Sequence, residues 1–159
     1  MPDFSFIERT AAGMPERQAV RVLKKTMTAV GWRNRVGVTV IWTTDREMRR
    51  LNRKTRQCDR TTDVLSFPLF TKRELGARRP KRGGALPLEL GDIVISVPEA
   101  RRQAKANQRS FRGEIMLLLV HGALHLAGFG HAKPAARKKM FGLQNKILGS
   151  LNAEKSVML

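Results

Sequence analysis

The residues best suited to chemistry in this sequence are its histidines, and all three lie within eleven consecutive positions, His121 to His131. Histidines four positions apart on a helix occupy one face one turn apart, so His121 and His125 can share a metal ion. Gly128 and Gly130 allow the backbone to leave the helix, in left-handed geometry if needed, so that His131 returns toward them. Three neutral imidazoles leave the fourth tetrahedral position of a zinc ion open, which is the catalytic arrangement. The alternative is three unrelated histidines, one in the core and two at the surface.

The same spacing, H-x-x-x-H-x-x-G-x-x-H, occurs in metzincin proteases. In those enzymes a glutamate directly after the first histidine serves as the general base. Here that position is Gly122. Because glycine cannot take a proton from water, a protease function lacks its main chemical requirement. The pattern therefore predicts a metal site and counts against a metalloprotease.

The composition is strongly basic, since 31 Lys and Arg against 13 Asp and Glu give a net charge of +18. Such a field attracts polyanions and favours nucleic acid as the partner, most simply RNA or a ribosomal surface. One alternative is a generally basic surface adapted to an unusual cytoplasm. Binding to a membrane surface is another, but no separate basic amphipathic helix supports it.

Three features bear on the compartment. Cys58 is the single cysteine, which excludes an internal disulfide and fits a reducing environment. The first residues include an early acid and no long apolar stretch, so no signal peptide is predicted. The longest apolar run, Ile115 to Val120, is far too short for a membrane span. We therefore expect a soluble, cytoplasmic protein without a membrane partner.

The elements that must position the histidines follow from apolar periodicity and from capping residues. Ser110 is suited to cap the helix that carries His121 and His125, whose apolar residues run through to Ala127. The other predicted helices are 15–30, 45–54, 98–107 and 134–151, and the predicted strands are 4–9, 36–43, 63–67 and 91–97. Pro68 is expected to stop the third strand.

The segment from Leu69 to Leu88 is predicted to be a long basic loop between two strands. Its basic residues are Lys72, Arg73, Arg78, Arg79, Lys81 and Arg82, interspersed with Pro80, Gly83, Gly84 and Pro87. A solvated charge run is one interpretation, and contact with RNA phosphates is the other.

A chain of 159 residues is expected to form a single domain, residues 1–159, with a self-sufficient core. Only one clear helical crossover separates the strands at 36–43, 63–67 and 91–97, which favours a mixed sheet over a doubly wound one. The predicted fold is α+β, with a sheet of about four strands surrounded by helices and the metal site on a helix and the turn after it.

The histidine segment, read as His121-Gly-x-Leu-His125-Leu-x-Gly-Phe-x-His131, resembles the signature of the YbeY family of bacterial ribosomal-RNA maturation factors. Three further stretches resemble that family in the same order, over roughly residues 36 to 148. They are Leu51-Asn52 with Arg56 and Thr62–Pro68, then Leu90–Ser96, and finally Met140–Leu148.

The resemblance implies a zinc-dependent endoribonuclease that acts on single-stranded RNA in 16S rRNA 3′-end processing, ribosome maturation and quality control. It implies contact with the small ribosomal subunit and its proteins, and no DNA partner. The catalytic arginine of the family falls on Arg56 here, where the alternative is a surface contact at the end of a short helix. Ser66 and Lys138 are candidate substrate contacts. Whether Asp63, Ser66 and Asp92 touch substrate or only hold strand ends stays open.

Zinc on the three histidines is expected either to lower the pKa of a bound water or to polarise a phosphoryl oxygen. The guanidinium of Arg56 would then brace the negative charge that builds on the phosphorane. Attack by the ribose 2′-OH and attack by zinc-bound hydroxide both stay open.

The sequence departs from the family pattern at two positions and in one stretch. Gly130 stands where an aspartate is common, and Thr55 stands where an aromatic residue commonly precedes the arginine. The stretch 132–139, often acidic in relatives, is basic here and should favour the RNA backbone. We hypothesise firm RNA binding with weak intrinsic cleavage. A metal-stabilised assembly factor that binds rRNA or a ribosomal protein without cutting is therefore an alternative to the nuclease.

Overall fold

A computed structural model describes residues 2–32, 36–78 and 87–157, with side chains to residue 152. Four strands and six helices lie in these ranges, alternating as far as β4, which three consecutive helices follow. Strands β1 to β4 are Asp3–Glu8, Val36–Thr43, Val64–Pro68 and Leu88–Ser96. Helices α1 to α6 are Glu16–Ala29, Asp45–Arg56, Lys72–Arg78, Val97–Ala106, Phe111–Leu126 and Pro134–Val157. None of the helices in these ranges is both long enough and apolar enough to cross a lipid bilayer.

The strands form a mixed sheet in the order β1-β2-β4-β3, which confirms the predicted α+β fold. β1, β2 and β4 run parallel, whereas β3 is antiparallel to β4 and forms one edge. Pro68 is the last residue of β3 and pairs with Gly91, so the strand includes the proline rather than stopping before it. Proline is tolerated there because an edge strand need not donate from every N–H.

The main core lies between one face of the sheet and helices α1, α5 and α6. Trp42, Ile93 and Ile95 come from the strands and are at most 1% exposed. The opposite face is covered by α2 through a smaller cluster of Met48, Leu65 and Val94. The sheet therefore holds α5 and α2 on its two faces, and these two helices carry Arg56, His121 and His125.

Helix α5 approaches β4 very closely at Gly122, the position of the missing protease base. A Cβ added to Gly122 would lie 2.8 Å from Cγ2 of Ile93, which is fully buried in β4. A side chain at this position would have to displace the Ile93 side chain or shift the helix. Glutamate is therefore excluded at this position by packing as well as being absent from the sequence.

Helix α2 is anchored at its first residue, Asp45. The carboxylate accepts hydrogen bonds from Thr61 Oγ1 at 3.1 Å, Ser96 Oγ at 2.9 Å and Arg102 Nη2 at 2.7 Å. Burial alone raises the pKa of Asp45, but the hydrogen bonds from Arg102, Ser96 and Thr61 outweigh it and hold the pKa below its ordinary value. The charged carboxylate thus joins α2 to α4 and to the end of β4.

The prediction of an uninterrupted loop over 69–88 is wrong, because Lys72–Arg78 forms helix α3. Thr71 Oγ1 accepts a hydrogen bond from the Glu74 N–H at 3.3 Å, and the Glu74 carboxylate accepts one from the Thr71 N–H at 2.7 Å. This reciprocal pair is a capping box. Leu75 anchors the short helix, since it is only 3% exposed.

Some predicted features of the basic segment lie outside the described residues, namely Arg79, Pro80, Lys81, Arg82, Gly83 and Gly84. Elsewhere the predicted boundaries differ by a few residues. Helix α2 continues to Arg56 and α6 to Val157, and β4 begins at Leu88. The longer α2 matters most, because it makes Arg56 the last helical residue.

We expect Gly122→Ala to lower the free energy of unfolding by about 1–3 kcal/mol, because the added methyl group overpacks the contact with Ile93. Chemical denaturation of the metal-free protein measures this change. Gly149→Ala in α6 is the matched control, since its added Cβ meets nothing within 4 Å. Alanine has the better helix propensity, so the control should be unchanged or more stable by up to about 1 kcal/mol. Equal losses in the two variants would contradict the packing argument.

Candidate metal centre

Helix α5 places the first two histidines one turn apart at the edge of the core. The helix starts after Ser110, whose Oγ accepts a hydrogen bond from the Gly113 N–H at 3.0 Å. The Nε2 atoms of His121 and His125 are 3.0 Å apart. Both rings are partly buried. The spacing predicted from sequence therefore produces a convergent pair.

The turn after α5 brings the third histidine to this pair. Gly128 has φ +96°, a conformation that side chains rarely adopt. The Phe129 N–H donates to the Leu124 carbonyl and the Gly128 N–H to the His125 carbonyl, each at 3.0 Å. These two bonds form a Schellman motif, which reverses the chain. As a result, one ligand nitrogen from each histidine lies within 4.8 Å of the others.

Polar contacts fix the orientation of the two helical imidazoles. Nδ1 of His125 lies 3.0 Å from the Phe129 carbonyl oxygen, which can only accept, so this nitrogen carries the hydrogen. Nδ1 of His121 lies 3.0 Å from Oε1 of Gln144, a residue of α6 that is only 6% exposed. In each neutral ring, Nε2 therefore carries a lone pair, which points toward Nε2 of the other ring. Such outer contacts orient the ligands of metal sites.

The environment keeps these two rings neutral at physiological pH. Burial lowers the pKa of His121. Burial, followed by charge repulsion from His121 and His131, lowers the pKa of His125 to about 4. A metal ion binds only neutral imidazole, so both residues are in the ligand form at pH 7.

The donor set fits a metal ion of the zinc type. Two lone pairs facing each other at 3.0 Å repel unless a cation lies between them. Tetrahedral bonds of 2.0–2.1 Å to nitrogen separate two ligand nitrogens by roughly 3.3 Å, close to this spacing. His131 is exposed, whereas the other two rings are partly buried. The three histidines therefore form an open group with room for another ligand on the solvent side.

A cleft of about 570 Å³ opens beside the three histidines. It lies between the β3 edge of the sheet, the end of α2, the start of α3 and the turn after α5. Its lining residues in the described ranges are Arg56, Val64, Ser66, Pro68, Phe70, Thr71, Lys72, Gly128, Phe129, Gly130 and Ala132, beside the histidines. None of them is acidic, and Arg56 and Lys72 make the cleft positive.

Arg56 reaches the cleft because of the way α2 ends. Gln57 adopts the left-handed conformation at φ 55°, and its N–H donates to the Arg53 carbonyl at 3.1 Å. Asn52 then ties down the following loop through a 2.9 Å hydrogen bond from Nδ2 to the Arg60 carbonyl. Repulsion from Arg56 is the smallest of the effects that lower the pKa of His125, after burial and the two histidines. The sequence-predicted arginine and histidines thus face one cleft.

The remaining candidate contacts, Ser66, Lys138, Asp63 and Asp92, do not share one location. Ser66 lines the cleft, and its Oγ donates to the Gly122 carbonyl at 3.5 Å. Lys138 is exposed on α6 and is not among the described residues lining the cleft. The Asp63 carboxylate accepts a hydrogen bond from the Val64 N–H at 2.8 Å, a strand-end contact. Asp92 lines a different groove, beside α2.

Sequence reasoning missed the residues that support the ligands. Gln144 lies within the stretch Met140–Leu148 that resembles the family, and a polar residue among the apolar positions of α6 is a usable signal of its buried role. The rings of His121 and His131 also stack on Phe141, with centroids 6.3 and 6.2 Å away. Lys72 reaches the cleft through helix α3, for which the capping box was the overlooked signal.

The fold and the site together define an α+β protein with an open group of three histidines that could hold a metal ion. A family model described as Endoribonuclease YbeY matches residues 8–152. A protein of Limosilactobacillus fermentum named Endoribonuclease YbeY is 38% identical over 136 residues, which cover 86% of this chain and 87% of that protein. One of Limosilactobacillus reuteri with the same name is 33% identical over 154 residues, covering 92% and 95% respectively.

A solved structure has the same fold. The solution structure of TM1509 from Thermotoga maritima superposes with a TM-score of 0.63 and 25% sequence identity, covering 97% of this chain and 92% of that one. The chain belongs to the Endoribonuclease YbeY family.

We expect Gln144→Met to weaken metal binding by about ten- to a hundredfold, because it removes the acceptor that orients His121 while keeping the volume. Competition between the protein and a chromophoric chelator for Zn²⁺ measures the affinity. Gln144→Glu keeps a carbonyl-type acceptor and should retain wild-type affinity or exceed it. Unchanged affinity in Gln144→Met would show that this hydrogen bond does not support the ligand.

Proposed function

We propose that this chain is a zinc-dependent endoribonuclease that cleaves single-stranded RNA, acting in 16S rRNA 3′-end processing, ribosome maturation and quality control. The observation that carries the proposal is the convergence of three imidazole nitrogens within 4.8 Å at the wall of a basic cleft. Membership of the endoribonuclease family supplies the substrate class. Residues 1–159 act as one catalytic unit in this proposal.

His121, His125 and His131 would hold the metal ion. When bound, the ion supplies Lewis acidity, which activates water or stabilises charge on a phosphoryl oxygen. The protein contributes neutral ligands of fixed orientation, through the Phe129 carbonyl and Gln144.

The cationic residues of the cleft would bind the scissile phosphodiester. Arg56 forms no ion pair with an acidic side chain in the part of the chain that the structure describes. Its guanidinium is therefore available to donate two parallel hydrogen bonds to phosphate oxygens as charge builds on them. Ser66 lies on β3 beside the histidines and offers a hydroxyl to the substrate. Lys138, outside the cleft lining, would contact phosphates farther along the RNA.

The proposed partners are 16S rRNA, the small ribosomal subunit and its proteins, in the cytoplasm, where ribosomes mature. A net charge of +18 supports this assignment, because such a charge draws the protein toward polyanionic surfaces.

A second candidate function is a metal-stabilised assembly factor that binds RNA without cutting it. One observation favours it: the described cleft lining contains no carboxylate, and Gly130 occupies the place beside His131 where a relative commonly has aspartate. A cleft without a carboxylate has fewer groups able to move protons, so cleavage would be slow.

We expect His121→Ala to lose stoichiometric zinc and to cleave RNA at least about a hundredfold more slowly, since ligand loss removes the Lewis acid. Elemental mass spectrometry and a cleavage assay on end-labelled RNA carrying the 16S 3′ end measure both effects. Asn145→Ala, an exposed neighbour of Gln144, is the control.

Zinc in the wild type without cleavage would contradict the nuclease and favour the binding factor. Loss of the fold in His121→Ala would indicate a structural rather than a catalytic metal.

Gly130→Asp is expected to raise the single-turnover cleavage rate by about ten- to a hundredfold, because a carboxylate there can orient an imidazole or move a proton. The substitution fits, since a Cβ added at Gly130 meets nothing within 4 Å and the residue has no positive φ. Gly130→Ala adds the Cβ without the charge and should leave the rate unchanged. Equal rates in all three proteins would refute the hypothesis that the missing carboxylate slows cleavage.

A further inference from the structure

A second basic surface lies away from the metal cleft, in a groove of about 840 Å³ between α1 and α6. Five cationic side chains line it: Arg17, Arg21, Lys24, Lys25 and Lys146. No acidic residue and no aromatic residue is among its described lining residues. We refer to this surface as the α1–α6 groove.

The spacing of the lining residues indicates that the groove runs along the axis of α1. Arg17, Arg21, Lys24 and Thr28 recur at intervals of three or four, so they lie along one face of α1. The eleven helical steps from Arg17 to Thr28 extend over about 16 Å. The opposite wall carries Lys146 and Ser150, one turn apart on α6. Cations and hydroxyl groups thus follow both sides of the groove, whose other lining residues are the apolar Val20, Ala29, Leu143 and Ile147.

The groove and the metal centre lie on opposite flanks of α6. Gln144 and Phe141 face the histidines, whereas Leu143 and Lys146 face the groove. Lys139 and Lys146 are seven residues apart, two turns or about 10.5 Å along the same side of the helix. Nζ of Lys139 lies 5.9 Å from the centroid of the Phe129 ring, which lines the metal cleft. Lys139 therefore places one positive charge between the cleft and the groove.

We propose that the α1–α6 groove binds the phosphodiester backbone of a base-paired RNA segment. The proposal rests on the proposed function, because it adds a second contact to the same substrate. Closely spaced cations with hydroxyl donors match consecutive phosphates. Proteins that hold single strands combine cations with aromatic side chains on which bases stack, and this groove has none. Double-stranded RNA is recognised largely through its shape and backbone, which suits this lining.

The chemistry of the groove fits RNA better than other polyanions. An anionic membrane is bound by an amphipathic helix whose apolar face inserts into the lipid, whereas the apolar residues of the groove lie between two helices of the domain. Ile7 and Leu69 are the exposed large apolar residues in the described ranges, and neither lines the groove. In the cell, the groove would hold a stem while the adjoining single strand enters the metal cleft. Such an enzyme selects single-stranded sites that lie next to stems.

The test uses the triple variant Arg17→Gln/Lys24→Gln/Lys146→Gln in the full chain. None of these three side chains pairs with an acid within the ranges that the structure describes. The matched control is Arg46→Gln/Arg60→Gln/Lys105→Gln, which removes the same charge from exposed positions elsewhere. Lys24→Arg/Lys146→Arg keeps the charge and serves as the conservative variant. Circular dichroism and thermal melting establish that each protein is folded.

Fluorescence anisotropy measures binding to an RNA hairpin with a long uninterrupted stem and to a short unstructured RNA. The groove variant should bind the hairpin about tenfold or more weakly at physiological salt, with its salt slope smaller by about 3. The control and the conservative variant should bind it as the wild type does, within about twofold. Cleavage of the short RNA should be the same in all four proteins.

Equal weakening in the groove and control variants would overturn the proposal, because only the overall charge would then matter. So would unchanged hairpin binding combined with a loss of affinity for anionic vesicles or for polyglutamate. The hairpin assay does not depend on cleavage. If the wild type cuts no RNA while the groove variant alone loses the hairpin, the proposed function fails and the groove assignment stands.

Discussion

The close contact between α5 and β4 at Gly122 is the constraint on which the rest of the site depends. Because Gly122 has no side chain, α5 lies close to the sheet, and the Ile93 side chain packs where a Cβ of residue 122 would lie. This packing fixes the positions of His121 and His125 beside β3. The Ser66 hydroxyl, donating to the Gly122 carbonyl, joins the edge strand to the same helix turn. One residue thus sets the spacing of the cleft and excludes the protease base.

Given that packing, the ligands depend on polar contacts from outside α5. The Phe129 carbonyl comes from the turn that Gly128 makes possible, and Gln144 comes from α6, 23 positions after His121. Both contacts assign the hydrogen to Nδ1 and direct Nε2 toward the centre. Burial lowers the pKa of both rings, so the metal ion does not compete with protons at pH 7. The orientation of the ligand rings therefore depends on α5, on the turn after it and on α6, which meet only in the folded chain.

The net charge is +18, and the cationic residues are not divided evenly between the metal cleft and the α1–α6 groove. Two cations, Arg56 and Lys72, line the metal cleft, whereas five line the groove between α1 and α6. In the proposed arrangement, the cleft would serve chemistry and the groove would retain the substrate, so that changing one charge set would leave the other in place. Few cations in the cleft would also favour product release, because each phosphate contact adds to the affinity.

The sequence alone predicted that the three histidines converge, that a protease base is absent at Gly122, that RNA is the substrate class and that the sheet is mixed with about four strands. These depend on residue type and on short-range periodicity, which are local properties. It missed helix α3, although Thr71 and Glu74 form a local capping box, because the run of basic residues and glycines favoured a loop. The tertiary structure alone decided that Gln144 orients His121, that Arg56 ends α2 inside the cleft and that Lys138 lies outside it. Such placements depend on contacts between residues far apart in sequence, whose energies arise only when the helices pack on the sheet.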